Sequence, residues 1–430
     1  MHWNVGSIKR EILSIESGTS VNAFDEPATA GQPAVLKTSC VYAGDFDPNE
    51  NKTVVPEEAG RVSCPVKANT LIVSRMNTPD LVGAAGLVRS APAHLFLPDR
   101  LWQVSFRSAS AAFVHYWTLT GGYRAQVEAA CTGTSASMKN LAQDQFGQFQ
   151  VALPPIDEQL GIAAFLDRET AKIDALVGEQ ERLIELLKEK RQAVISHAVT
   201  KGLNPSAPMK DSGLGGIGVV PIEWVLHKLK HLTSQLTVGI VVEPSRYYAD
   251  NGIPALRSLN VRPGAVSLEN LVFISEEAHQ MHAKSRLNAG DLVAVRSGQP
   301  GTATVIPAEL EGCNCVDLII IRRPTGMSAA YLCWYLASEA AKVQFSEGSG
   351  GAIQQHFNVS AAGELIVPVP SRQEQDAIVA YLDRMTSRLD GLVREVERAI
   401  ALLQERRTAL ISAAVTGQID VRETAERSAA

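Results

Sequence analysis

One stretch of this sequence occurs twice, and the duplication restricts the folds that the chain can adopt. Residues 154–200 align without gaps with residues 370–416, and 26 of the 47 positions are identical. The two copies contain the matching phrases "FLDRETAKIDALV" and "YLDRMTSRLDGLV". A repeat of this quality predicts two copies of one structural unit within a single chain.

A weaker similarity extends the repeat to the segments that precede these copies. The phrase "WNVGSIK" from Trp3 matches "WVLHKLK" from Trp224, and on the same offset Gly18 corresponds to Gly239. The sequence therefore predicts two half-molecules, each with a variable globular region followed by a long helix. The predicted divisions are globular regions at 1–150 and 204–366, the second including a linker, helices at 151–203 and 367–422, and a tail at 423–430.

The repeated segments carry the signals of long helices. Prolines precede both segments, and "SRQE" at residues 371–374 predicts a capping box. Gly202 and Gly417 stand where C-terminal caps of helices occur. A heptad series runs through each copy, with Gln180 as its polar exception; its apolar members are Leu166, Ile173, Leu187, Val194, Leu382, Leu389, Val396, Leu403 and Leu410.

Such helices need a partner. A helix of about 44 residues would be about 65 Å long, and it cannot bury its apolar stripe against itself. The simplest partner is the other copy, so we expect an antiparallel coiled coil about a pseudo-twofold axis, which separates the two globular regions. The alternative is that each helix packs only on its own globular region.

The globular regions have a mixed pattern. Short apolar runs such as "TLIVSR", "LWQVSF", "DLVAVRSG" and "VDLIIIRR" predict strands. The phrases "AAFVHYWTLT" and "AAYLCWYLASEAAKVQF" predict short helices. The expected fold class is α/β, or α+β, with two similar globular domains.

The sequence contains no recognisable catalytic signature. The six cysteines lack metal-ligand spacing. The phrase "GLGGIG" follows a linker and not a strand, so it does not predict a dinucleotide-binding loop. No apolar run approaches the ~18 residues of a membrane span, and the N-terminus lacks a signal peptide's apolar core, so we expect a cytoplasmic protein. A repeated architecture without catalytic motifs indicates a binding or assembly protein.

The layout resembles the specificity subunit of type I restriction-modification systems over nearly the whole chain. The most specific parts are the two helical repeats and the linker "MKDSGLGGIGVVPIEW". In that family the helical repeats are conserved, and the variable units are target recognition domains that each read one half of a split DNA sequence. The resemblance implies a non-catalytic chain whose helices set the half-site spacing and dock the methyltransferase subunits.

The resemblance also implies a set of partners. They are double-stranded DNA with a bipartite, asymmetric target, two methyltransferase subunits and, where present, restriction subunits; no membrane is expected. S-adenosylmethionine, ATP and Mg would belong to partner subunits, so no cofactor is expected in this chain. Half-sites about one helical turn (~34 Å) apart lie on one face of DNA, which suits two readers on one spacer.

Polar and basic positions in corresponding places of the two globular regions are the candidates for DNA contact. Two Gly/Ser-rich loops and two pairs of cations, Lys37 with Arg257 and Arg75 with Arg296, stand at matching positions. The full candidate set is Lys37, Arg75, Thr134, Ser135, Ser137, Lys139, Asn140, Arg257, Arg296, Ser297, Ser349, Gln354, Gln355 and His356. For each single residue the competing interpretation is an ordinary solvated loop.

Charged residues on the helices form a second candidate surface. They are predicted to be exposed and to dock subunits, or else to form a solvated, salt-bridged face. The set is Glu179, Glu181, Arg182, Glu189, Arg191, Glu395, Glu397, Arg398, Glu405 and Arg407.

Two other functions are compatible with the sequence. One is a two-domain scaffold that binds proteins without DNA contact. The other is an enzyme whose site between the repeats is not recognisable from the sequence.

Overall fold

The computed structural model describes residues 3–29, 31–131, 138–296, 301–347 and 358–421. The chain divides into two compact units. Unit 1 is Met1–Gln180 with Arg398–Ala430, and unit 2 is Glu181–Glu397. Each unit therefore holds one globular region together with one part of each long helix.

Unit 1 begins with a strand-rich region. Its strands are β1 Asn4–Ser7, β2 Ile12–Ser17, β3 Ala34–Leu36, β4 Asn51–Thr53, β5 Thr70–Ser74, β6 Met76–Asn77, β7 Ala85–Val88, β8 Leu95–Phe96, β9 Leu101–Phe106, β10 Lys139–Asn140 and β11 Gln150–Leu153. Its helices are α1 Ala111–Thr118, α2 Gly121–Ala130, α3 Gln143–Gly147 and the first part of α4 Ile156–Lys201. Short 3-10 turns occur at Ile8–Arg10, Thr38–Val41 and Pro56–Arg61.

Unit 2 follows with a comparable set. Its strands are β12 Met209–Asp211, β13 Val219–Pro221, β14 Val225–Lys228, β15 Leu236–Val238, β16 Tyr248–Ala249, β17 Ile253–Leu256, β18 Val261–Arg262, β19 Ala265–Val266, β20 Val272–Ile274, β21 Leu292–Val295, β22 Ala303–Val305, β23 Asn314–Cys315, β24 Leu318–Ile321 and β25 Ile366–Val369. Its helices are α5 Glu276–Met281, α6 Ala329–Leu336, α7 Glu339–Glu347, α8 Val359–Glu364 and α9 Arg372–Val415, whose last part lies in unit 1. Short 3-10 turns occur at Leu229–His231, Pro244–Tyr247, Ser258–Asn260, Ala283–Ser285 and Ala308–Leu310.

The two globular regions share one topology. An antiparallel sheet has the order β2-β9-β5-β7 in unit 1 and β15-β24-β21-β22 in unit 2. In a second sheet, β3 pairs with antiparallel β4 and parallel β8, and β17 pairs in the same way with β20 and β23. The expected α/β (α+β) class with two similar domains is confirmed, although the two sequences have little in common outside the helices.

In each unit, a two-stranded antiparallel ribbon connects the start of the globular region with the segment that precedes the long helix. Strand β1 pairs with β11, and β14 pairs with β25. Residues 151–153 and 367–369, which the sequence divisions assign to the helices, are thus in strands. Backbone pairing with the first strand of the region fixes the direction in which each helix leaves.

The long helices pack in antiparallel fashion within each unit. In unit 1, Ile162 and Leu166 of α4 share a buried cluster with Ile411 and Val415 of α9. In unit 2, Ile195 and Val199 of α4 share a buried cluster with Ile378 and Leu382 of α9. Along the heptad series, Leu166, Ile173, Leu382 and Leu389 are buried, whereas Leu187, Val194, Val396, Leu403 and Leu410 are half-buried.

The same helical segments also pack on the globular regions. The cluster in unit 1 includes Phe113 and Tyr116 of α1, and that in unit 2 includes Tyr331 and Tyr335 of α6. Helix-helix packing therefore occurs together with packing on the globular regions, and the alternative in which each helix packs only on its own globular region is wrong. Each fully buried leucine or isoleucine contributes about 1.5–3 kcal/mol relative to an exposed one.

The segment between the repeats is more ordered than a linker of its composition suggests. Strands β12 and β13 form an antiparallel hairpin, and Ile217 and Val220 are buried in the core of unit 2. Lys210 Nζ donates to the carbonyl oxygens of Ile222 and Trp224 at 2.8 and 2.7 Å. These contacts attach the hairpin to the start of the second globular region.

Half of the predicted capping box is present at the start of α9. Ser371 Oγ accepts from the Glu374 N–H at 3.3 Å. The Glu374 carboxylate does not return to the backbone of Ser371; it accepts from Trp224 Nε1 at 3.0 Å. The Glu374 side chain thus joins the helix to the globular region of unit 2. The Trp224 indole N–H is buried and would otherwise lack an acceptor, so its hydrogen bond to Glu374 is favoured over one to the Ser371 backbone.

Two glycines at equivalent strand ends are required by close packing. An added Cβ at Gly18, after β2, would lie 1.6 Å from the carbonyl oxygen of Leu97. At Gly239, after β15, it would lie 2.4 Å from the carbonyl oxygen of Cys315. The obstructing atoms are backbone in both cases, so a side chain cannot be accommodated by a rotamer change.

We predict that Gly18→Ala and Gly239→Ala each destabilise the protein by about 2 kcal/mol or more, because the backbone must move to admit the methyl group. Gly178→Ala is the matched control: it lies inside α4 with nothing within 4 Å of its added Cβ. The control should raise stability by about 0.5–1 kcal/mol. Urea unfolding of the full chain, followed by tryptophan fluorescence, measures both effects; unchanged midpoints for the two strand-end variants would contradict this packing.

Candidate nucleic-acid interface

The two arginine candidates of unit 2 lie at one edge of its sheets. Arg257 follows β17 and Arg296 follows β21. The Val316 N–H donates to the Leu256 carbonyl at 2.8 Å, and the Asp317 N–H donates to the Ile240 carbonyl at 3.0 Å. The backbone ends of β17, β15 and β24 therefore meet, and this meeting point is called the unit 2 edge below.

Arg296 is held at the unit 2 edge by an ion pair. Its Nη1 lies 2.5 Å from Asp317 Oδ1, with the arginine side chain 18% and the aspartate side chain 48% exposed. Asp317 has a left-handed φ of 50°, which is uncommon for a residue other than glycine. The exposed carboxylate partly neutralises the cation, so a phosphate at this place would have to compete with Asp317 for the guanidinium.

Arg257 is fixed by its own turn. It precedes the turn Ser258–Asn260, its N–H donates to Asn260 Oδ1 at 2.9 Å, and its Nη2 donates to the Asn270 carbonyl at 2.7 Å. Its Nε is buried and has no hydrogen-bond partner among the described residues. One donor of this guanidinium is thus unused.

Unit 1 brings its candidates together at the equivalent place. Arg75 follows β5, and its Nε donates to the Asp99 carbonyl at 2.8 Å. The Leu141 N–H donates to the Arg75 carbonyl at 2.9 Å, and Lys139–Asn140 pairs with Met76–Asn77. The strand pairing therefore places Lys139 and Asn140 beside Arg75, which the sequence could not show.

A tyrosine that the sequence did not single out connects this site to Lys37. Asn77 Nδ2 donates to the Tyr42 hydroxyl at 2.7 Å, and that hydroxyl lies 2.8 Å from Thr38 Oγ1. Thr38 directly follows Lys37, which caps the turn Thr38–Val41. Lys37, Arg75, Lys139, Asn140 and the chain Thr38–Tyr42–Asn77 together form the unit 1 edge. A lone tyrosine in a loop carries no sequence signal that would have identified it.

The remaining candidates lie outside the described residues. They are Thr134, Ser135, Ser137, Ser297, Ser349, Gln354, Gln355 and His356. The first three precede Lys139 of the unit 1 edge, and Ser297 directly follows Arg296 of the unit 2 edge.

Eight of the ten charged helix residues are exposed as predicted, and the other two, Arg191 and Arg407, form ion pairs with the opposite helix. Arg407 Nε lies 2.9 Å from Asp174 Oδ1 in unit 1, and Arg191 Nε lies 3.0 Å from Asp390 Oδ1 in unit 2. The side chains of Arg191 and Arg407 are 24% and 34% exposed, so these two residues are less exposed than predicted because both face the opposite helix. On the offset of the repeat, one ion pair is the copy of the other.

The matching phrase of the two helices explains how each globular region is attached. Gln159 Oε1 accepts from the Ser110 N–H at 2.9 Å, and Gln375 Oε1 accepts from the Ser328 N–H at 2.7 Å. Ser110 and Ser328 are the N-caps of α1 and α6. Each buried glutamine thus joins a long helix to the start of the helix that packs on it.

An aspartate of the same phrase makes a second equivalent contact. Asp167 Oδ1 accepts from the Tyr116 hydroxyl at 2.6 Å, and Asp383 Oδ1 accepts from Trp334 Nε1 at 3.1 Å. Burial, and then this hydrogen bond, raise the pKa of Tyr116 to about 12. The aspartate acceptor is the same in both helices, whereas the donor is a tyrosine in unit 1 and a tryptophan in unit 2. Two globular regions of different sequence are therefore attached to the helices at equivalent positions.

The thiols are not poised for chemistry. The six cysteines are free, and Cys313 and Cys333 are buried. Burial raises the pKa of each of these two thiols to about 12, so the thiolate form is disfavoured. In the described ranges, no three His, Cys, Asp or Glu side chains are grouped as a metal site would need. Within the same ranges, no helix is both long and apolar enough to cross a membrane.

Comparison with known proteins finds relatives of one kind. No family model matches the sequence. The specificity subunit of type I restriction enzyme EcoBI from Escherichia coli is 24% identical over 319 residues, 71% of this chain and 65% of that protein. The MjaVIII specificity subunit from Methanocaldococcus jannaschii is 23% identical over 283 residues, 64% of each chain. The chain is therefore similar in sequence to specificity subunits of type I restriction-modification systems.

Two solved structures have the same fold as this chain. A structure concerning complex assembly and conformational transition of the type I R-M system gives a TM-score of 0.67 at 15% identity, covering 96% of this chain and 97% of that one. The HsdS subunit from Thermoanaerobacter tengcongensis gives 0.54 at 15% identity, covering 97% of both chains. The chain spans just under two thirds of the length of the two relatives named above.

Unit 1 contains a buried histidine, His115, whose pKa is lowered in the folded protein. His115 is 4% exposed, and its Nε2 lies 2.8 Å from the Gly44 carbonyl oxygen. Burial lowers the pKa of His115, while the Gly44 hydrogen bond and the charge of Asp45 oppose that shift. The unfolded chain therefore binds a proton at a higher pH than the folded protein does. The stability that neutral His115 contributes is complete above about pH 6.5 and is lost as the pH falls below that value.

We predict that the free energy of unfolding of unit 1 falls between pH 6.5 and 5 by up to about 1.4 kcal/mol per pH unit from this one group. His115→Gln keeps a donor for Gly44 but does not titrate, so this part of the pH dependence should disappear. Thermal unfolding of both full-length proteins at several pH values gives the comparison. The same slope in both proteins would show that His115 is not responsible.

Proposed function

We propose that this chain is the DNA-reading, non-catalytic subunit of a type I restriction-modification complex. The observation that carries the proposal is the pair of equivalent edges. Two units of one topology place cations after corresponding strands, Lys37 and Arg75 in one and Arg257 and Arg296 in the other. Their surroundings differ, as two readers of different sequences require.

The proposed division of work follows the repeat. Residues 1–150 and the second globular region within 204–366 each read one half of a split, asymmetric target. The helices within 151–203 and 367–422 set the spacing of the half-sites and dock two methyltransferase subunits. Restriction subunits can join the complex, which would work in the cytoplasm. S-adenosylmethionine, ATP and Mg²⁺ belong to those partner subunits in this proposal.

Charge supports local and not general binding to DNA. The chain has a net charge of −6, so it lacks the overall positive field that holds a protein on any duplex. Cations that are placed at two edges can still neutralise phosphates there, and their contribution falls as salt rises. Reading therefore has to come from these local edges and from the partner subunits' help in holding the duplex.

The test is coexpression of the full chain with its methyltransferase subunit in cells that lack other DNA methylation, followed by modified-base sequencing of the genome. We predict methylation at one split, asymmetric sequence, and none when either protein is expressed alone. An unchanged pattern with an active methyltransferase would refute DNA reading and favour the protein-binding scaffold.

Single substitutions should then separate the two half-sites. Arg75→Ala should weaken or relax recognition of one half, and Arg296→Ala should do so for the other, each by about 1–3 kcal/mol if the arginine contacts a base. A phosphate contact would instead weaken binding to all sequences and lower the salt dependence by about one unit. Lys342→Ala, an exposed lysine on α7, is the control and should change neither half.

A further inference from the structure

An exposed apolar tip projects beside the unit 2 edge. Val241 and Val242 follow β15 and are 45% and 77% exposed. Single exposed apolar residues are common on protein surfaces, but two adjacent valines at a turn expose apolar area without an evident structural purpose. The two residues are called the valine tip below.

The backbone of the valine tip is fixed on both sides. On one side, the Ile240 N–H donates to the Cys315 carbonyl at 2.9 Å, and the Ile240 carbonyl accepts from the Asp317 N–H. On the other side, Glu243 has φ 42° and ψ 53°, and Pro244 starts the turn Pro244–Tyr247. A left-handed residue other than glycine costs about 1–2 kcal/mol, so the surrounding contacts hold this turn in one conformation.

The valine tip shares its surroundings with the cations of the unit 2 edge. The same Asp317 that donates its N–H to Ile240 forms the ion pair with Arg296. Arg257 follows Leu256, whose carbonyl accepts from the neighbouring Val316 N–H. A duplex that met these arginines through its phosphates would bring base edges within reach of the tip.

We propose that the valine tip contacts the C5-methyl group of a thymine in the half-site read by unit 2; this inference rests on the proposed function. A valine side chain has no hydrogen-bonding group, so it cannot read the polar atoms of a base. The thymine methyl is the apolar group that the major groove displays, and contact with it is how apolar side chains distinguish bases. Val241 and Val242 are therefore specificity-determining residues.

The equivalent segment of unit 1 differs from the valine tip at one of its two positions. On the offset that matches Gly18 with Gly239, Ser20 stands in place of Val241, while Val21 matches Val242. A serine hydroxyl donates and accepts hydrogen bonds, so the first unit presents a mixed surface where the second is apolar. The two units would then have different preferences at corresponding positions of their half-sites.

The experiment uses the complete complex of this chain with its methyltransferase subunit. The Kd of the complex is measured by fluorescence anisotropy on an unmodified duplex that contains the target sequence found by modified-base sequencing. Each thymine of the target is then replaced in turn by uracil, which removes only the C5-methyl group. We expect one position at which uracil weakens binding about fourfold, corresponding to about 0.8 kcal/mol for one methyl group. Val242→Ala should weaken binding to the thymine duplex by a similar factor.

The pair of changes decides the assignment. If the tip contacts that methyl, Val242→Ala and uracil together should cost no more than either alone. Met281→Ala, which truncates an apolar residue 69% exposed at the end of α5, should leave both affinities unchanged. Equal loss on thymine and uracil duplexes, or no loss from Val242→Ala, would overturn the proposal while DNA reading stands. Absence of any sequence-specific binding by the unaltered complex would instead refute the proposed function.

Discussion

The antiparallel packing of α4 and α9 is the contact on which the rest of the structure depends. A helix of 46 residues exposes an apolar stripe along its whole length, and no single globular region can cover it. In each unit one part of the stripe is covered by the opposite helix and by the globular region together, through Leu166 in unit 1 and Leu382 in unit 2. The ion pairs Asp174–Arg407 and Asp390–Arg191 help to fix the register of the two helices. Each pair is partly exposed, so it contributes at most about 1 kcal/mol to the free energy of unfolding.

The repeated phrase is conserved between the two halves because it makes the same attachments twice. Gln159 and Gln375 each satisfy the N-cap N–H of a packing helix, and Asp167 and Asp383 each accept from an aromatic donor. Losing one of these acceptors would leave a buried donor unsatisfied, which costs about 1–3 kcal/mol. Most residues of the globular regions do not take part in these attachments, so the sequences of the two regions can differ while their topology is the same.

The equivalence between the two halves extends to the positions of the candidate cations. Arg75 and Arg296 follow corresponding strands, and Lys37 and Arg257 precede corresponding turns. Tyr42 and the valine tip were not predicted, since each is defined by neighbours that are distant in sequence: Asn77 and Thr38 for the tyrosine, Asp317 and Cys315 for the tip. No local pattern distinguishes such residues from ordinary loop residues.

The sequence by itself determined the duplication and the two long helices, because periodic apolar residues and a 47-residue repeat are properties of the chain order. It also identified the main strands, such as β5, β9, β21 and β24. Only the tertiary structure decided that Arg191 and Arg407 face the opposite helix, that Glu374 bonds Trp224, and that Lys139 lies beside Arg75. The reason is physical: each of these outcomes depends on a partner supplied by a remote segment, and the choice among competing polar partners is made by burial.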